Sequence, residues 1–220
     1  MKVLVVGANG KVGTLLSGKL WSCSDFSPIA LIRDKKQQTK FTALGVPSII
    51  GDLEIGISAF LVGINAVVFT AGSGAKTGPD KTIDVDQNGA IRLIEDCVQN
   101  GVKRFIMISA IGADPSSKST RIQHYLKAKG VADVFLRNSN LDYTIIAPGT
   151  LTNEPGLGRV KTAEKLNSHG FLPREDLADF IIQTLRNFNS VRKTFEVISG
   201  EQKIKDSIST IVGDALPPIA

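Results

Sequence analysis

The residues best suited to chemistry lie in the stretch KVLVVGANGKVG, where glycines fall at Gly7, Gly10 and Gly13. Spaced three apart, they suit a main chain that turns sharply and then lets a phosphate come close. Gly7 would allow the turn, Gly10 would admit a pyrophosphate to the backbone, and Gly13 would let a helix pack on the preceding strand. Asn9, Lys11 and Val12 lie in the same turn and are counted with it as cofactor-binding. A helix beginning here would present unpaired N–H groups and a positive dipole end to the phosphates. Arg33 is the second such position, in the run Ile32-Arg33-Asp34-Lys35-Lys36. An acidic residue at the end of a second strand suits a ribose 2′-hydroxyl, whereas an arginine suits a 2′-phosphate. The arginine comes first, so NADP(H) is favoured over NAD(H). Asp34 keeps the hydroxyl alternative open should the strand end one residue later.

These groups need strands and helices to position them. Val3 to Val6 is the β-branched run of a strand buried on both faces. After Gly13, Leu15, Leu16 and Leu20 fall roughly on one helical face. The alternation continues with strands at 28–32, 46–50, 66–70, 104–108, 143–147 and 194–198. Helices are expected at 35–44, 53–62, 83–99, 121–137, 174–188 and 205–212. Strands separated by helices imply right-handed crossovers and a parallel sheet. The fold class is therefore α/β, a doubly wound parallel sheet with helices on both faces. The expectation is one domain over 1–220, with 150–170 and 200–220 as elements of a small C-terminal substrate lobe. Groups at the strand ends line up as a ligand groove: the glycine turn, Arg33, Gly51-Asp52, Ala71-Gly72, Ser109 and Pro148-Gly149.

The bulk composition agrees with a globular α/β protein. The chain has 220 residues, 42% apolar and 21% charged, and no apolar run approaches the roughly 20 residues that span a bilayer. No signal peptide is read, so the expected location is cytoplasmic, with Cys23 and Cys97 as buried free thiols in helices. The net charge of +5 suggests an anionic ligand. Basic residues are dispersed, so neither nucleic acid nor a membrane is an expected partner. His124 and His169 lack metal-ligand spacing, and no metal is expected.

With these residues assembled, the chain resembles the short-chain dehydrogenase/reductase superfamily, specifically its small atypical branch related to epimerases and NmrA-like regulators. The resemblance rests on GANGKVG at 7–13, GDL at 51–53, AG at 71–72, KRFIMIS at 103–109, Tyr125 to Lys129 and LDYTIIAPG at 141–149. REDLADFI at 174–181 and KTFEVISG at 193–200 extend it. It implies a Rossmann domain in which Asp52 and Leu53 meet the adenine, Ala71 and Gly72 lie along the cofactor, and Pro148 borders the nicotinamide. It also implies a catalytic set of Tyr125, Lys129 and Ser109. Tyr125 and Lys129 are four apart, one face of a helix. A phenol whose free pKa is near 10 needs such an ammonium to exchange protons around neutrality. Lys129 would hold the ribose as well, and Ser109 would polarise a carbonyl.

The chain departs from the family at Ala110, where a second serine is common, at Asp86, where many relatives carry asparagine, and at Ala147, where arginine is common. The leading expectation is an NADP(H)-dependent oxidoreductase acting on a small carbonyl or quinone-like compound. A non-catalytic NADP(H)-binding regulator with a protein partner is the main alternative, and an epimerase or dehydratase the third. The substrate and any homo-oligomer are not read from the sequence.

Overall fold

The computed structural model describes residues 1–74, 78–119 and 122–209. In chain order the elements are β1 (Lys2–Val6), α1 (Lys11–Trp21), β2 (Ser27–Ile32), α2 (Gln38–Ala43), β3 (Ser48–Ile50) and β4 (Ala66–Phe69). Next come α3 (Pro79–Thr82), a π-helical stretch (Ile83–Gly89), α4 (Ala90–Gln99), β5 (Arg104–Ile108), α5 (Gln123–Arg137) and β6 (Asp142–Pro148). The rest is β7 (Thr150–Thr152), β8 (Arg159–Ala163), β9 (Phe171–Pro173), α6 (Arg174–Arg186), β10 (Lys193–Ser199), β11 (Gln202–Lys203) and α7 (Ile204–Ser207).

Alternation along the central strands divides the core in two. On one face Val3, Val5 and Ile106 pack under Leu16 and Leu20 of α1 and Leu177, Phe180 and Ile181 of α6. On the other, Leu4, Val6, Val67 and Phe105 meet Leu93, Ile94 and Cys97 of α4 and Leu136 of α5. Each such fully buried side chain contributes about 1.5–3 kcal/mol. With both faces covered, the strands read as continuous apolar runs. The main sheet has the order β11-β8-β10-β6-β5-β4-β1-β2-β3, parallel from β3 to β10. The order reverses at β1, so the chain leaves β1 and β4 on opposite faces and opens a crevice beyond their carboxyl ends.

The doubly wound fold thus holds, with corrections in detail. Residues 53–62 are not a helix; they form turns around one 3-10 turn at Ser58–Phe60. The Asp52 carbonyl accepts the N–H groups of Ile55 and Gly56, and Gly56 has φ +106°, which ends any helical run. Arg92 of α4 then takes the carbonyls of Leu53 and Glu54 at 2.6 and 2.8 Å. The helix expected at 83–99 starts earlier, at Pro79, and is π-wound over Ile83–Gly89. The 35–44 helix is a 3-10 turn followed by α2. Cys23 lies beyond α1 and is half-exposed, unlike buried Cys97.

The sheet is also not wholly parallel. In the 150–170 segment, β8 pairs antiparallel with β10 at the sheet edge, and β11 pairs antiparallel with β8. β7 and β9 form a separate parallel pair. Residue 121 of the expected 121–137 helix, residues 75–77 of the loop after β4, and residues 210–212 of the expected last helix lie outside the described residues. Among the described residues no helix is long and apolar enough to cross a membrane.

Candidate cofactor and catalytic site

At the end of β1 the glycines do separate jobs. Gly7 has φ +81°, and a Cβ there would lie 2.5 Å from the Ala71 nitrogen, so the turn after β1 abuts the end of β4. A Cβ on Gly13 would lie 2.4 Å from the Gly7 carbonyl oxygen, so α1 can seat on the turn only without a side chain there. Gly10 differs: it is exposed, and its Cβ would meet only the Gly7 oxygen at 3.2 Å. The Gly10 N–H closes the turn onto that oxygen at 3.0 Å. α1 then starts at Lys11 with no side-chain cap and no acidic residue in its first turn. Uncapped N–H donors, the helix dipole and a bare Gly10 fit a cofactor diphosphate. Lys40 of α2 reaches the same turn, its ammonium 2.6 Å from Asn9 Oδ1. Lys11 and Arg174 both donate to Asn153 Oδ1, at 3.3 and 3.0 Å.

Arg33 follows β2 and is exposed. Asp34 is engaged, because its Oδ1 accepts the Lys36 N–H at 2.8 Å and caps the next turn. Asp52 follows β3 and likewise caps a turn, accepting the Glu54 N–H at 3.0 Å, and Leu53 is half-buried against the α4 face. Pro148 ends β6, and its carbonyl accepts the Ile111 N–H at 3.3 Å, which joins the loops after β5 and β6.

The residues expected to do catalysis collect where α5 and the π-helical stretch cross the ends of β4 and β5. Lys129 is 3% exposed. Its ammonium is 3.1 Å from Asp86 Oδ1, 3.1 Å from the Ile108 carbonyl and 3.4 Å from the Ala71 carbonyl. It lies 5.4 Å from the Phe69 ring centre and 5.9 Å from that of Tyr125, which is half-buried. Burial opposes its charge, but Tyr125, Asp86 and Asp133 outweigh burial and hold the pKa above the ordinary lysine value. The other Asp86 oxygen accepts the Ser73 N–H at 2.8 Å. A Cβ on Gly72 would lie 3.2 Å from Asp86 Oδ1, so the loop after β4 runs tightly over this carboxylate.

Ser109 directly follows β5 but is buried, and its hydroxyl donates to Asp133 Oδ2 at 2.5 Å. Gly7, Ala71, Gly72, Lys129 and Tyr125 are therefore brought together at the crevice, while the Ser109 hydroxyl is engaged by α5. Asp133 and Lys40 escaped the sequence reading. Asp133 had a signal, since it continues the Tyr125–Lys129 face by one more helical step. Lys40 had none, because its approach to Asn9 depends on how α2 packs.

Residues 7–188 match a family model described as NAD(P)H-binding. A Bacillus subtilis protein described as an uncharacterized sugar epimerase, YhfK, is 38% identical, with 96% of this chain and all of the relative covered. A Bacillus halodurans structure, provisionally described as an NAD-dependent epimerase/dehydratase, superposes with a TM-score of 0.90 at 39% identity, covering 96% of this chain and 100% of the other. The oxidoreductase YlbE of Lactococcus lactis superposes with a TM-score of 0.81 at 29% identity, covering 96% of each chain. Glycine cradle, strand order and sequence agree, and the chain belongs to the NAD(P)H-binding family of Rossmann proteins, among atypical short-chain dehydrogenase/reductase relatives.

Proposed function

We propose that the protein is an NADP(H)-dependent oxidoreductase acting on a small carbonyl or quinone-like compound. One observation carries the reading: a buried lysine ammonium lies beside the Tyr125 ring at the strand-end crevice. When bound, the nicotinamide supplies hydride, and the protein's part is orientation and proton transfer. The glycine turn and the α1 N-terminus would hold the diphosphate, and Ala71, Gly72 and Pro148 would line the cofactor groove. Tyr125 donates the proton to the substrate oxygen. As the proton leaves, the phenolate's new charge faces the Lys129 ammonium, which Asp86 and two main-chain carbonyls hold in place. Support for a 2′-phosphate comes from Arg33, exposed after β2, while Asp34 is engaged as a cap.

NADPH consumption across a panel of small aldehydes, ketones and quinones tests the reading. Wild type should turn over at least one class, and Tyr125→Phe should lose about 100-fold or more while still binding NADPH. Cofactor binding without turnover on any compound would overturn it. One observation favours a second reading, a cofactor-binding regulator: the Ser109 hydroxyl is engaged by Asp133. On that reading NADPH binds but is not consumed. The epimerase reading takes support from the descriptions of the Bacillus subtilis relative and the Bacillus halodurans structure, and Ala147 speaks against a substrate that needs an arginine there.

A further inference from the structure

Asp133 lies four residues after Lys129 and eight after Tyr125, so the three share one face of α5. It is 3% exposed. Its Oδ2 accepts the Ser109 hydroxyl, and its Oδ1 is buried without a hydrogen-bond partner among the described residues. The ammonium of Lys129 is held by Asp86, Ile108 and Ala71, so it makes no direct pair with Asp133. A carboxylate buried with one bare oxygen favours its neutral form. Burial accordingly raises the Asp133 carboxyl to about 6, against the opposing pull of Ser109, Arg137 and Lys129.

We propose that Asp133 is a positioning residue that sets the direction of the Ser109–Asp133 hydrogen bond, and thereby whether Ser109 can donate to a carbonyl. With Asp133 ionised, the single Ser109 proton goes to Oδ2, and the hydroxyl can only accept from other groups. With Asp133 protonated, its carboxyl donates to Ser109 Oγ and the serine proton is released for a substrate oxygen. Among the described residues the charges acting on Asp133 are Lys129 and Arg137 of its own helix, both favouring the ionised form. Asp86, from the π-helical stretch, pairs with that same Lys129, and the turn directly after β5 presents the neutral Ser109. The carbonyl step rests on the reductase reading; the titration of the carboxyl does not.

Infrared difference spectroscopy of the carboxylic C=O stretch, wild type against Asp133→Asn across a pH series, reads the carboxyl directly. A band absent from D133N should titrate with a midpoint of about 6. In Ser109→Ala that midpoint should rise by about one unit, because the donor that favours the charged form is gone. A carboxyl that stays in one state throughout, or a midpoint that Ser109→Ala leaves unmoved, overturns the proposal. In a second arm, NADPH-dependent carbonyl turnover by wild type should fall through the same midpoint as pH rises, and D133N should lose that limb. The same limb persisting in D133N overturns the proposal. No turnover by wild type at any pH would instead sink the reductase reading, and the infrared titration would still decide the role of Asp133.

Discussion

Lys129 and Asp86 meet in a buried ion pair, Nζ to Oδ1 at 3.1 Å, with their side chains 3% and 0% exposed. The lysine comes from α5 and the aspartate from the π-helical stretch, so the pair joins two elements far apart in sequence. Through Ser73 and the Ala71 carbonyl it also ties down the loop after β4. Removing one partner leaves the other charge buried and unbalanced. Asp86→Ala should therefore lower unfolding free energy by about 3–5 kcal/mol, and a Lys129→Met, Asp86→Leu double variant should recover much of that loss. Urea unfolding measures both; equal stability of the single variant and wild type would refute the coupling.

Asp133 also sets a pH dependence of stability. Its folded pKa, about 6, lies above the ordinary aspartate value of 3.8, mainly through burial. Between those values the folded state binds the proton more tightly, so its contribution to stability falls as pH rises and levels off above about 6. The span is of order 2–3 kcal/mol. Asp133→Asn should flatten this part of the stability–pH curve, measured by denaturant midpoints at several pH values. A slope kept in the variant would show that another group carries it.

The three glycines should separate fold from binding. Gly13→Ala places a methyl 2.4 Å from the Gly7 oxygen and should lower the melting temperature as well as abolish cofactor binding. Gly10→Ala meets only the Gly7 oxygen at 3.2 Å, so the melting temperature should fall much less than in Gly13→Ala while cofactor affinity falls. Thermal melts with and without NADPH check both. If Gly10→Ala binds normally, the diphosphate does not lie over this turn.

Arg33→Ala should weaken NADP(H) by about tenfold or more, the size of one charge-assisted hydrogen bond, and leave NAD(H) nearly unchanged. Titration calorimetry with both cofactors reads the difference. Equal losses for the two would refute a 2′-phosphate contact at Arg33.

The candidate site was only partly visible in the order of residues. Gly7, Gly10 and Gly13 stand in one short segment, so their spacing was enough to place the sharp turn at Gly7 and the close helix packing at Gly13. Tyr125 and Lys129 are one helical step apart, which sequence alone places on one face. The engagement of Ser109 was not visible, because its partner lies 24 residues away on a different element. Residues 53–62 failed as a helix for a similar reason. Ile57 and Leu61 have helical spacing and are both buried, but Gly56 and the carbonyl bonds from Arg92 satisfy the backbone another way. The antiparallel β8 has exposed and half-exposed positions at a sheet edge, so its residues give no continuous apolar run.

By itself, the sequence determined the strand–turn–helix at residues 2–21 and the succession of buried strands. These follow from local sterics and from apolar runs that only a two-sided sheet can bury. Tertiary structure alone decided the electrostatics of the site. Whether Lys129 stands free or paired, and whether Ser109 faces a ligand or Asp133, depends on how α5 and the π-helical stretch pack across β4 and β5. Hydrogen bonds and ion pairs act over a few ångströms, and only packing brings those groups that close.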